Sequence, residues 1–325
     1  MKSTELKALL IASKQYATED RLFSWWCLFS TMLLYIMLVS VAVCSAQMTL
    51  RILCSFIAAL VQVRLFVIFH DYQHGTILGE SVFARFLMKL FGLVFLNPPS
   101  VWKRSHDHHH KYNSRLHGSS TGSYRLMTTD AYAQATPAER RAYAASRHPL
   151  TMLLGYLTIF LWGMCLRPLL ANPRCHADAG LSILVHLAVA TILAFIGIDA
   201  MLLGFILPMS VASCFGAYLF YAQHNFPSVV LRSGTEWTRV DAALKASSFI
   251  LMGRVMNWLT GNIGYHHVHH LNAKIPFYRL PEAMRGLKEL QSPKVITLSL
   301  SDIRACLRLK LWDPQLERLV SFEGR

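Results

Sequence analysis

WWCLFSTMLLYIMLVSVAVC, residues 25–44, runs for 20 residues without a charge. A helix rises about 1.5 Å per residue, so this run can cross the roughly 30 Å hydrocarbon layer of a bilayer. The stretch decides the fold class, because a soluble core rarely needs one so long and so apolar. Residues 50–69, 181–198 and 200–220 repeat the pattern, with Gln62 and Arg64 as the polar interruptions of the second run. The chain is predicted to be an all-α integral membrane protein with four transmembrane helices. Composition agrees, since 54% of its 325 residues are apolar and only 15% are charged.

The remaining segments are assigned by charge and punctuation. Lys and Arg number four in residues 1–24, eight in 98–148 and fourteen in 223–325, while the connections at 45–51 and 198–200 hold only Arg51. The positive-inside rule then puts both termini and the three basic segments in the cytoplasm. The first apolar run starts too late, and is too long, for a cleavable signal. Residues 1–22 are expected to lie at the interface. A crossing by residues 149–170 would separate 98–148 from 223–325 by a bilayer, so 149–170 is expected to be interfacial or re-entrant. Residues 82–96 contain Arg85 and Lys89 among Phe and Leu and are also read as interfacial, ending before Pro98 and Pro99. Residues 223–325 form a cytoplasmic cap, closing with a helix capped by Ser301 that presents Ile303, Leu307 and Leu311 on one face. Trp102 is expected to pack at the membrane interface.

Seven scattered cysteines without a CxxC pair are read as buried packing in a reduced compartment. The net charge is +14. Nucleic acid would suit such a charge but not the apolar spans. Anionic membrane lipid and an acidic carrier protein fit both.

Fifteen histidines include three clusters: HDYQH with His70 and His74, HDHHH with His106, His108, His109 and His110, and HHVHH with His266, His267, His269 and His270. Residues three and four apart share one helix face. Thus His70 and His74, then His106, His109 and His110, then His266, His269 and His270 can each aim imidazoles at one point. Eight imidazoles exceed the four ligands of a structural zinc and suffice for two metals with open positions. His224, in YAQHNF at the end of the fourth run, is ambiguous on its own. His186, inside the third run, reads as a packed histidine, and His117, His148 and His176 as loop or interfacial residues.

These residues resemble the membrane fatty acid desaturase family. Its HxxxH, HxxHH and HxxHH boxes correspond to His70–His74, His106–His110 and His266–His270. The segments LNPPSVWKRSHDHHH, YAQHNF and HHVHHLNAKIPFYRLPEA extend the likeness over roughly residues 20–315, toward bacterial acyl-lipid desaturases of the omega-6 kind. The resemblance implies two Fe ions held by the eight box histidines, O2 as co-substrate and two electrons from a carrier. It also implies His224 as a ninth ligand. His108 and His267 fall off the pattern and are expected beside the ligands, as are Asp71, Asp107 and Asn262. Tyr72 and Gln73 are larger than the family's usual residues there and are expected to reshape the substrate tunnel. No HPGG-type haem segment is present, so a separate ferredoxin or cytochrome b5 type protein is expected to supply electrons. The expected substrate is an acyl lipid or acyl thioester, and the expected location is the bacterial inner membrane.

Acyl, alkane or carotenoid hydroxylation or ketolation on the same site is the alternative chemistry. A histidine-rich metal transporter is a remoter one, disfavoured because the four runs contain no Asp or Glu. A non-catalytic scaffold would be expected to have lost box histidines, and none is missing.

Overall fold

The computed structural model describes residues 3–116, 124–232 and 234–324; His117 lies outside them. Among the described residues, four helices are long and apolar enough to cross a membrane: Arg21–Cys44, Met48–Gln73, Ala177–Ile196 and Ile198–Ala222. The first starts at Arg21 because Asp20 caps it, accepting from the Phe23 backbone N–H at 3.0 Å. The second is central, 67% buried in its apolar window against 22%, 17% and 44% for the others. It runs on through His70, so span and first histidine box are one rigid rod. At the end of the bundle away from the histidines, Arg51 pairs with Asp199 and donates to Ala42 O, tying the two interspan turns together.

Residues 82–96 expose Val82, Phe83, Phe86 and Leu90 on one face and bury Ala84, Met88 and Leu93 on the other. The helix Val82–Val94 packs on the third span, and the chain then bends by 95° into the helix Pro99–Tyr112. Ending a helix in an apolar layer leaves carbonyls that must find donors. Here Ser182 Oγ donates to Leu93 O at 2.8 Å, and Cys165 Sγ lies 3.8 Å from Leu96 O. Asn97 Nδ2 donates to Phe95 O at 2.7 Å, and His186 Nδ1 is 2.7 Å from Val94 O. His186 also meets the Tyr156 hydroxyl at 2.7 Å, so it is a satisfied structural residue.

Residues 149–170 form a short helix, Pro149–Leu153, then the apolar helix Tyr156–Ala171, which has π-helical turns over Tyr156–Leu166. This helix packs against the third and fourth spans. The N-terminal helix Ser3–Ser13 docks on the cap through buried Leu6 and Leu9, and Ser13 Oγ accepts from Asn272 at 3.0 Å.

The cap is not wholly helical. Met127–Thr128 pairs in parallel with Leu311–Asp313, which runs antiparallel to Arg318–Val320. A second pair joins Phe249–Leu251 to Val295–Thr297. The final helix is Leu300–Arg308, capped by Ser299 rather than Ser301. Leu311 is in a strand, because the Lys310 N–H leaves the helix to donate to Val320 O at 2.8 Å.

Arg64 fastens cap to span. A guanidinium in an apolar layer is costly unless its donors are used. Its Nε donates to Thr31 Oγ1 at 3.1 Å, and its Nη1 donates to Trp258 O at the end of the helix Arg254–Leu259. The guanidinium also lies over the Trp258 ring, 4.3 Å from its centroid.

Candidate metal centre and substrate cavity

Three helices and the end of a fourth aim imidazoles at one level. The second span brings His70 and, at its cap, His74. The helix Pro99–Tyr112 starts with proline at its first position, where no N–H is needed, and places His106, His109 and His110 inward. The helix His266–Leu271 follows a turn in which Gly261 (φ +52°) and Asn262 (φ +54°) are left-handed. His224 closes the fourth span.

The nine histidines gather into two groups. His70, His74, His106, His110 and His269 form one; His109, His224, His266 and His270 form the other. Within each group the ring nitrogens lie within 4.8 Å of one another. His106 Nε2 is 2.9 Å from His70 Nε2, 3.1 Å from His74 Nε2 and 3.0 Å from His110 Nε2. In the second group His266 Nε2 is 2.9 Å from His224 Nε2 and 3.0 Å from His270 Nε2.

Hydrogen bonding alone does not account for such sets. A neutral imidazole carries one ring proton, so one nitrogen cannot be satisfied by three others of its kind. Metal–imidazole bonds of about 2.1 Å meeting at right angles would put neighbouring nitrogens roughly 3 Å apart. The observed spacings match that, and the donors fit a pair of transition-metal ions with imidazole ligands.

Electrostatics favour the metal-binding form. Burial, and then the neighbouring imidazoles, push His106, His109, His110, His266, His269 and His270 well below the usual histidine range. Burial holds His224 at about 4. These rings are neutral at physiological pH, with lone pairs free for a cation. His224 Nδ1 donates to Ala246 O at 3.2 Å, which leaves Nε2 as the lone-pair nitrogen.

The other expected residues separate by position. Asp71 is buried and accepts at Oδ1 from His70 Nδ1 at 3.0 Å and at Oδ2 from the Phe277 N–H at 2.7 Å. Asn262 Nδ2 donates to Phe277 O at 3.1 Å, bracing the same loop one step further from the histidine groups. His267 points away, its Nε2 donating to Leu290 O at 3.2 Å, and serves to anchor its helix. Asp107 is exposed and pairs with Lys103 at 2.7 Å, and His108 packs on Tyr112 with ring centroids 4.7 Å apart. Both lie on the outer face of their helix, because positions next to an inward ligand turn outward.

A cavity of about 710 Å³ reaches both groups, with His70, His106 and His266 in its wall. Its sides come from the second and fourth spans, the bent helix pair and the helix Tyr156–Ala171. Trp102, expected at the interface, is buried here: it stacks on His106 at 4.5 Å and 22° and lines the cavity. Sequence reasoning weighed a tunnel wall for Trp102 and preferred the interface, although Trp102 precedes His106 by four residues and so shares its face. Tyr72 and Gln73 are not among the residues that line this cavity.

Comparison with known proteins agrees with the site. The fatty acid desaturase family profile matches residues 46–299, a range that contains all nine clustered histidines. A fatty acid desaturase of Bacillus subtilis is 34% identical over 271 residues, 82% of this chain and 76% of that protein. Chloroplastic omega-6 fatty acid desaturases of Glycine max and Spinacia oleracea are each 22% identical over 69% of this chain. The chain spans about half the length of those plant relatives, 53% and 50%. These matches favour acyl desaturation over hydroxylation, ketolation or metal transport. With a profile covering most of its length and a bacterial relative aligned across four-fifths of it, the chain belongs to the fatty acid desaturase family, membrane oxidoreductases of fatty acyl chains.

Proposed function

We propose that the chain places a cis double bond in a lipid-linked acyl chain at two irons, one held by each histidine group. The observation that carries this reading is the meeting of two imidazole-only clusters with one long apolar cavity. The reaction balances as two hydrogens from neighbouring methylenes, O2, two electrons and two protons giving the alkene and two waters. No side chain can oxidise an unactivated methylene, so the irons would supply the redox chemistry.

The protein's own part is positional. His70, His74, His106, His110 and His269 present ring nitrogens to one ion, and His109, His224, His266 and His270 to the other. Asp71 and the Ala246 carbonyl orient two of those rings from behind. Trp102, Phe66 and Phe220 line the approach with aromatic surface, which excludes water and seats methylenes. Each methylene moved from water into such a wall contributes about 0.8 kcal/mol.

The basic segments 98–148 and 223–325 support a cytoplasmic site in the bacterial inner membrane. They also support docking of an acidic ferredoxin or cytochrome b5 type donor, steered by the +14 balance.

The test is expression in a host with profiling of its fatty acids by mass spectrometry, beside His109→Ala and His269→Ala. A new unsaturated acid is expected from the parent chain and none from either variant, with both still inserted. A hydroxylated product, or full activity in either variant, would overturn the reading.

A further inference from the structure

The cavity continues past the histidines into the apolar layer. Gln62 stands eight residues before His70, and Gly216 eight residues before His224, both on the wall. Each is about 12 Å of helix from the ligand below it. Gly216 lies inside a helix, where glycine is unfavourable, and nothing in its surroundings requires it. It has no left-handed φ, and a Cβ built on it meets nothing within 4 Å. Gly155, on the neighbouring segment, differs: a Cβ there would lie 3.0 Å from Ser213 O, so close packing accounts for it. What Gly216 provides is empty space in the cavity. Its neighbours Ala212 and Ser213 on the same wall are small too.

We propose that Gly216 sets the length of acyl chain the enzyme accepts. The missing side chain leaves the cavity open beyond the metal level, so the distal part of a long chain can enter while its reacting carbons stay at the clusters. A larger residue shortens that space and excludes long chains while sparing short ones. This inference rests on the desaturase reading above.

The test is a graded series, Gly216→Ala, Gly216→Val and Gly216→Leu, in a host fed palmitic or stearic acid. Unsaturated products of each are measured, with bound iron per chain. The ratio of stearoyl-derived to palmitoyl-derived product is expected to fall stepwise, by roughly tenfold or more at Leu, the scale on which apolar pockets reject a misfitting methylene. Iron content should stay at the parent level. An unchanged ratio across the series would overturn the proposal, as would equal loss of both products. Should Leu lose its iron, Ala and Val decide alone: a ratio that moves with them supports the proposal and one that does not overturns it. A parent chain that makes no unsaturated product overturns the desaturase reading, and this inference with it.

Discussion

His70 Nδ1 and Asp71 Oδ1 lie 3.0 Å apart, adjacent in sequence yet meeting as donor and acceptor. The second oxygen of Asp71 takes the Phe277 N–H from the loop after the third histidine box. One buried carboxylate thus sets the tautomer of a box-one histidine and ties it to the box-three region.

Asp71→Asn removes one of those two acceptor positions, because an amide nitrogen cannot accept. His70 loses its fixed orientation or the Phe277 loop loses its tie. Bound iron and product yield are expected to fall about 10–100-fold, the usual effect of losing a partner behind a metal ligand. Metal analysis of purified protein beside product yield checks it; parent values for both would remove Asp71 from the positioning role.

His224→Ala should separate the two groups. The second group has four histidines and the first has five. Loss of His224 leaves three ligands in the second group while the first is untouched. Bound iron should drop from about two per chain toward about one. A drop to zero would mean that the groups form only together.

Trp102 carries both packing and cavity wall. Its ring stacks on His106 and meets Phe66 and Phe69 edge-on. Trp102→Ala should destabilise the protein by about 3–5 kcal/mol, the range for deleting a large buried aromatic. Trp102→Phe should recover most of that. Thermal melting in detergent reads the stability, and product assays show whether activity follows it.

Lys310 introduces a pH dependence remote from the histidine groups. It is buried, its ammonium donates to Arg147 O, and the Arg147 guanidinium is near. Burial, then the repulsion of Arg147, pushes it from 10.5 down to about 8. Below pH 8 the folded chain bears the full cost of that buried charge. Between about 8 and 10.5 the folded form is neutral while the unfolded form keeps its proton, so stability rises with pH through that window. The melting temperature of the parent should therefore gain on that of Lys310→Met between pH 7 and 9.5. A constant difference would contradict the assignment.

Much of this was legible in local sequence. A helical span needs only apolar length, which residues 25–44 display directly, and helical spacing of histidines is a property of little more than one helical turn. His224 was visible only as a lone histidine at the right end of a span. What local sequence hid were contacts across the chain. Trp102 could be an interfacial anchor or a cavity wall until His106 and the second span were packed beside it. Ser301 was read as the cap of the last helix, until the Asp302 N–H was seen to bond Ser299 two residues earlier. Leu311 shared a face with Ile303 and Leu307 only if the helix continued, and strand pairing with Val320 ended it.

That the chain enters a membrane and carries three sets of clustered imidazoles can be read locally, because both follow from spacing along single helices. How those imidazoles divide is settled by packing between helices. The second box gives His106 and His110 to one group and His109 to the other; the third gives His269 to the first, and His266 and His270 to the second. Neighbouring positions on a helix point about 100° apart. Which of them meet depends on the angles at which separate helices cross, and those are set by packing between segments distant in the chain.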